Sequence, residues 1–137
     1  MVDTVTVPRS FPFRPTSTSQ LEVGDVVPVR RPAGTWGALQ VIDLKRDGAG
    51  ARTSLIIGVL PWDTAAPPTA EDVAGLAVTE QGLTDVDLFR QGGLQVVANT
   101  PPVPTSLGNA FRDANTGAVN SVWGWRAALR KAIEPAT

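Results

Sequence analysis

From Gly24 onward, apolar and polar positions alternate in short runs separated by turn residues, and a period of two predicts strands. Val27 and Val29 alternate with Val26, Pro28 and Arg30, "RPAG" supplies a turn at Gly34, and Leu39 and Val41 take the alternation up again. After Ile42 that second run resumes at Leu44, and the polar, glycine-rich "KRDGAG" makes the next turn. "SLIIGVLPW" is almost wholly apolar, as expected of a central strand covered on both faces. Three strands joined by short turns make a meander. With further strands to come, its natural closure is a small, strongly bent sheet or a barrel.

The strand pattern breaks at "PPTAEDVAGL". Thr69 followed three residues later by Asp72 spells a capping box, and Gly75 stands where a short helix would end. "LTDVDLFRQGG" carries the same device: Thr84 as cap, Asp85 and Asp87 in the first turn, Gly92 and Gly93 as the stop. A strand through Val86, Leu88 and Arg90 is the alternative there. Leu94 to Ala98 predicts a strand, and the proline-rich "NTPPVPTSLGNAF" a loop. In "SVWGWRAALRKAI" the residues Trp125, Leu129, Ala132 and Ile133 form one apolar stripe, with Arg126, Arg130 and Lys131 off it. Gly124 weakens the first turn, so this helix is expected to start at Trp125.

Residues 1–20 read as an irregular arm interrupted by Pro8, Pro12 and Pro15; Val5 and Val7 suit a short edge strand, and Phe11 and Phe13 suit pinning the arm to the body. The expected organisation is therefore this arm followed by a single α+β domain over 21–137. That domain is a small, strongly bent, mostly antiparallel sheet of about five or six strands, or a Src-homology-3-like barrel, with short helices and a C-terminal amphipathic helix.

Composition narrows the chemistry. A chain of 137 residues with 42% apolar positions can bury a core, and a net charge of −1 supplies no global field toward nucleic acid or anionic lipid. Cysteine is absent, which excludes disulfides and thiolate metal sites, and histidine is absent, which removes the commonest general base and zinc ligand. Tyrosine is missing as well. There is no phosphate-cradling glycine motif, nucleophile elbow or calcium-loop spacing. No catalytic residue, cofactor or metal is expected. "MVDTVTVPRS" lacks a secretory pattern and no apolar run approaches a membrane span, so the expected location is cytoplasmic.

Charge along the chain is uneven. No Lys or Arg lies between Arg52 and Arg90, whereas Asp63, Glu71, Asp72, Glu80, Asp85 and Asp87 all do. A partner with a basic contact surface would be steered to such a segment. The competing reading is local, since acids in the first turns of short helices are favoured by the dipole alone. Trp36 and Trp62 both adjoin turns, while Trp123 and Trp125 open the last helix, Trp125 on its core stripe. The candidate contact set is Trp62 with the six acids, joined by Trp36 and Arg31 on the exposed rim of the first hairpin. Two alternatives remain open. One is a small-barrel module for nucleic acid or glycan using Trp36, Arg30 and Arg31. The other is a structural subunit of a larger phage or secretion assembly.

The order of these features resembles the Immunity protein 26 family of bacterial polymorphic-toxin systems. The residues that carry the resemblance are Gly24-Asp25, Trp36-Gly37, Gln40-Val41, Gly58-Val59, Pro68-Thr69 with Glu71-Asp72, and Leu94 to Ala98. It spans roughly residues 21–105, and the arm and the Trp-rich C-terminal segment depart from it. The resemblance implies a cytoplasmic immunity protein that binds and neutralises one cognate toxin by surface complementarity, with no catalysis and no cofactor.

Overall fold

Two long strands in the middle of the chain organise everything else. The computed structural model describes residues 9–46, 48–107 and 121–134; the expected strand at Val5 and Val7 lies outside them. β1 (Asp25–Arg30), β2 (Trp36–Leu44) and β3 (Ser54–Thr64) form the expected meander, and β4 (Glu80–Asp85) adds to its far side. Two-residue strands β5 (Ala98–Asn99) and β6 (Ser121–Val122) complete the order β5-β1-β2-β3-β4-β6. β5 to β4 are antiparallel throughout, and β6 runs parallel to β4. The sheet is open, because the edge strands β5 and β6 do not pair with each other. The architecture is α+β without barrel closure.

Both faces of the sheet are covered. On one, Val27, Val29, Leu39, Val41, Leu55 and Ile57 pack under α2 (Asp87–Arg90) and α3 (Trp125–Ile133). On the other, Val26, Ala38, Ile42, Ile56 and Leu60 pack with Val78 and with Val73 of α1 (Ala70–Val73). This explains the unbroken apolar run of β3, whose successive residues serve opposite cores. The phase slip in β2 is a bulge: Val41 pairs with Ile57 and Asp43 with Ile56, so Leu44 returns to the face of Val41. A larger irregularity separates the Trp36–Thr64 pair from the Ala38–Leu60 pair, where Pro61, Trp62 and Asp63 of β3 stand against Gly37 alone. Pro61 has no N–H to give a ladder, which is why the strand bulges there.

The capping box forms as expected, with Thr69 Oγ1 accepting from the Asp72 N–H (3.2 Å) and the Asp72 carboxylate accepting from the Thr69 N–H (3.1 Å). Gly75 follows at φ +85°. The helix expected from Thr84 starts later. Thr84 lies in β4 opposite Leu55, since the ladder to β3 outweighs its capping preference. Asp85 is the residue that accepts from the Asp87 N–H (2.8 Å) as α2 begins. Leu88 and Phe89 then bury completely, each worth roughly 2–3 kcal/mol of apolar transfer.

The strand expected over Leu94–Ala98 is also shorter than its composition suggests. Val96 exchanges backbone hydrogen bonds with Phe13 of the arm (3.1 and 2.8 Å), and only Ala98 and Asn99 pair with β1. The segment divides its hydrogen bonds between two partners. The arm is held here by more than Phe13. Arg9 donates to both carboxylate oxygens of the fully buried Asp25 (2.6 and 2.7 Å) and lies over the rings of Phe11 and Phe13. Those contacts raise the Arg9 pKa, chiefly through the hydrogen bond to Asp25.

Candidate functional site

The first hairpin turns at Gly34 (φ +93°), where the Gly34 N–H donates to the Arg31 carbonyl (2.9 Å) and the Arg31 N–H to the Thr35 carbonyl (2.8 Å). That turn directs the Arg31 side chain inward, and only 6% of it remains exposed. The expected position on an exposed rim is therefore corrected. The reason lies in the acceptors that surround it. Arg31 Nε donates to the Ala132 carbonyl at the end of α3 (3.0 Å), and Nη1 donates to the Trp62 carbonyl in the β3 bulge (3.1 Å). Nη1 also pairs with Asp63 Oδ1 at 2.7 Å. A guanidinium satisfies all three because its donors form a rigid fork.

Gly37 makes this approach feasible. A Cβ there would stand 2.6 Å from the Ala132 carbonyl oxygen and 2.9 Å from Arg31 Nη2. Arg31 thus ties the first hairpin, the β3 bulge and α3 together. The Asp63 carboxyl is held below its ordinary pKa, first by a hydrogen bond from the Thr35 side chain and then by Arg31.

A cleft of about 230 Å³ opens beside this tie. Val59, Leu60, Pro61 and Trp62 supply its apolar lining. The charged lining comes from the Arg31–Asp63 pair, from Glu80 and Lys131 paired at 2.9 Å, and from Glu134 just past α3. Lys131 also lies 5.5 Å from the ring centre of the buried Trp123, which packs over Gly82 at the start of the last segment instead of opening the helix. α3 itself begins at Trp125 with Gly124 at its N-cap.

Of the expected contact set, the structure brings Arg31, Trp62, Asp63 and Glu80 together at this cleft. Glu71 and Asp72 stand on α1, across the sheet from α3, and the Asp72 carboxylate is engaged in the capping box. Asp85 ends the strand that Glu80 begins, about 17 Å away at ~3.4 Å per residue. Its carboxylate accepts from the Asp87 N–H, while the Asp87 carboxylate lies 3.8 Å from Arg90. The six acids do not form one surface. Trp36 stands outside the cleft, half-buried, with the Arg30 guanidinium 5.6 Å from its ring centre.

Lys131 and Glu134 are the cleft residues that charge counting along the chain overlooks. Their signal was the helical register, which places Lys131 on the last turn of α3 and Glu134 at its C-cap. Among the described residues, no three His, Cys, Asp or Glu side chains gather closely enough to hold a metal ion. No described helix is long and apolar enough to cross a membrane. Comparisons of the chain with family models, with curated proteins and with solved structures give no match.

Proposed function

We propose that this domain is an immunity protein of the Immunity protein 26 kind, which binds a cognate bacterial toxin in the cytoplasm and neutralises it without performing a reaction. The observation that carries this reading is the cleft at the β3 bulge, where an aromatic side chain and four charged side chains from separate elements meet around a buried arginine. The Arg31–Asp63 and Glu80–Lys131 pairs are already positioned, and such groups make interface hot spots because less side-chain entropy remains to be lost on binding. Trp62 offers apolar area there, and the charged groups supply selectivity against wrong partners.

The test begins with the tagged chain purified from its native host and mass spectrometry of what co-purifies. The expected result is one near-stoichiometric protein with a toxin domain, whose expression arrests growth unless this chain is co-expressed. Recovery of nucleic acid alone, self-assembly alone, or a partner whose toxicity this chain leaves untouched would overturn the reading.

A further inference from the structure

We propose that the cleft beside the β3 bulge is an anchor pocket for a single arginine side chain presented by the protein partner, with Lys131 as its internal stand-in. The inference deepens the binding-protein reading above and rests on it. Its chemistry follows from how the charges of the cleft are already committed.

Three carboxylates (Asp63, Glu80 and Glu134) line the cleft against two cations, Arg31 and Lys131. Arg31 is buried, with Nε and Nη1 engaged by the Ala132 and Trp62 carbonyls and by Asp63. Lys131 is half-exposed, with Glu80 2.9 Å away and the Trp123 ring on its other side. Glu134 makes no ion pair among the described residues; only its N–H is used, donating to the Arg130 carbonyl as α3 closes. The carbonyl end of the nine-residue α3 lies against the same cleft and adds partial negative charge. The cleft therefore favours a cation.

Its shape selects the kind of cation. At about 230 Å³ it is smaller than the ~300–1,000 Å³ of typical small-molecule sites, and it suits one long side chain. Pro61 and Trp62 offer apolar area for an aliphatic stem and an aromatic surface for a planar head. A guanidinium forks onto carboxylates bidentately and gives up its water more readily than an ammonium does, which favours arginine over lysine. Lys131 can yield Glu80 to the incoming guanidinium and keep its own contact with Trp123. The lining carries one uncompensated negative charge before the partner arrives, and one guanidinium brings it to balance.

The probe is N-acetyl-L-arginine amide, compared with its uncharged isostere N-acetyl-L-citrulline amide, each titrated into isotopically labelled full chain and followed by NMR. The expected result is saturable shifts at the Trp62 indole and at the Glu80, Lys131 and Glu134 amides, with Kd about 1 mM for the arginine probe. Binding of the citrulline probe should be weaker by about tenfold. Glu134→Gln should weaken arginine binding by about threefold, and Lys131→Met, which removes the stand-in, should tighten it by a similar factor. Equal shifts with both probes, shifts elsewhere on the chain, or no saturation would overturn the proposal. A toxin captured without arginine-dependent shifts would reject the pocket and leave the immunity reading on another surface. Arginine-dependent shifts with no protein partner in the host would uphold the pocket and overturn the immunity reading.

Discussion

Arg31→Met probes the tie between hairpin, bulge and helix, because it keeps the aliphatic stem and deletes the guanidinium that joins the three elements. The substitution strips the Ala132 and Trp62 carbonyls of donors now 3.0 and 3.1 Å away. Ala132 is fully buried, so its carbonyl has no easy access to replacement water. A buried acceptor left without its donor costs about 1–3 kcal/mol. In the other direction, the variant recovers the desolvation cost of a buried cation, which can offset much of the gain from pairing. With each carbonyl at ~1 kcal/mol after that offset, the net loss is about 2 kcal/mol. The half-exposed Asp63 is left out of this sum, because solvent screens it. At an unfolding entropy of ~2.1 cal/mol/K per residue, a 137-residue chain should lose about 7 °C in Tm. Urea unfolding and calorimetry read the loss, and amide exchange should show α3 losing protection ahead of β2. Arg31→Lys should recover less than half, since one ammonium cannot span all three acceptors. Stability unchanged within ~0.5 kcal/mol, with α3 equally protected, would show that the tie contributes nothing net.

Asp25→Asn removes the charge that four donors surround: two from Arg9, the Glu22 N–H and Asn99 Nδ2. Breaking this pair should cost about 3 kcal/mol and expose the Arg9–Ser10 bond to trypsin; an arm that stays protected would refute the latch. The Asp63 carboxyl, held below its ordinary value, contributes stability above ~pH 4 that is lost as the pH falls through its folded pKa. The urea midpoints of the native chain and Asp63→Asn should therefore differ at pH 6 and converge toward pH 3, and a gap independent of pH would contradict the assignment. Gly82→Ala places a methyl group against the Trp123 ring. It should cost about 1–3 kcal/mol and shift tryptophan emission to the red, whereas an unchanged spectrum would mean that Trp123 packs elsewhere.

The strands that period two describes best are those whose two faces meet different cores. β3 was legible because Leu55 to Leu60 is apolar without interruption, whereas the second run read as one alternation stepping over Ile42, and the bulge behind that step emerges only in the pairing with β3. Thr69 and Asp72 were legible because a capping box is a local device and needs no tertiary partner. Thr84 was misleading for the opposite reason. Its cap would have been local, but the β3 ladder offered Leu83 and Thr84 backbone partners that only the folded chain supplies. Val96 behaves alike, since its hydrogen bonds go to Phe13, which lies far away in sequence. Nothing along the chain told Arg30 from Arg31. They are adjacent, yet one lies over Trp36 at the surface and the other is buried between β3 and α3.

The acidic stretch shows why charge counted along a sequence is not charge on a surface. Asp72 and Asp85 spend their carboxylates on backbone N–H groups at helix starts, so the local explanation suffices for them. Asp63 and Glu80 differ because each meets a cation from a distant segment, Arg31 and Lys131 respectively. What brings those pairs together is a set of residues that break local rules: a proline inside an eleven-residue strand, a buried arginine, and a glycine where α3 touches β2. Sequences that specify a fold consistently tend to violate such rules where something other than stability is served. Pro61 forfeits a ladder hydrogen bond and Arg31 forfeits hydration, and both losses fall at the same cleft. On the function proposed above, that coincidence, more than the count of acids, favours this part of the surface as the binding site.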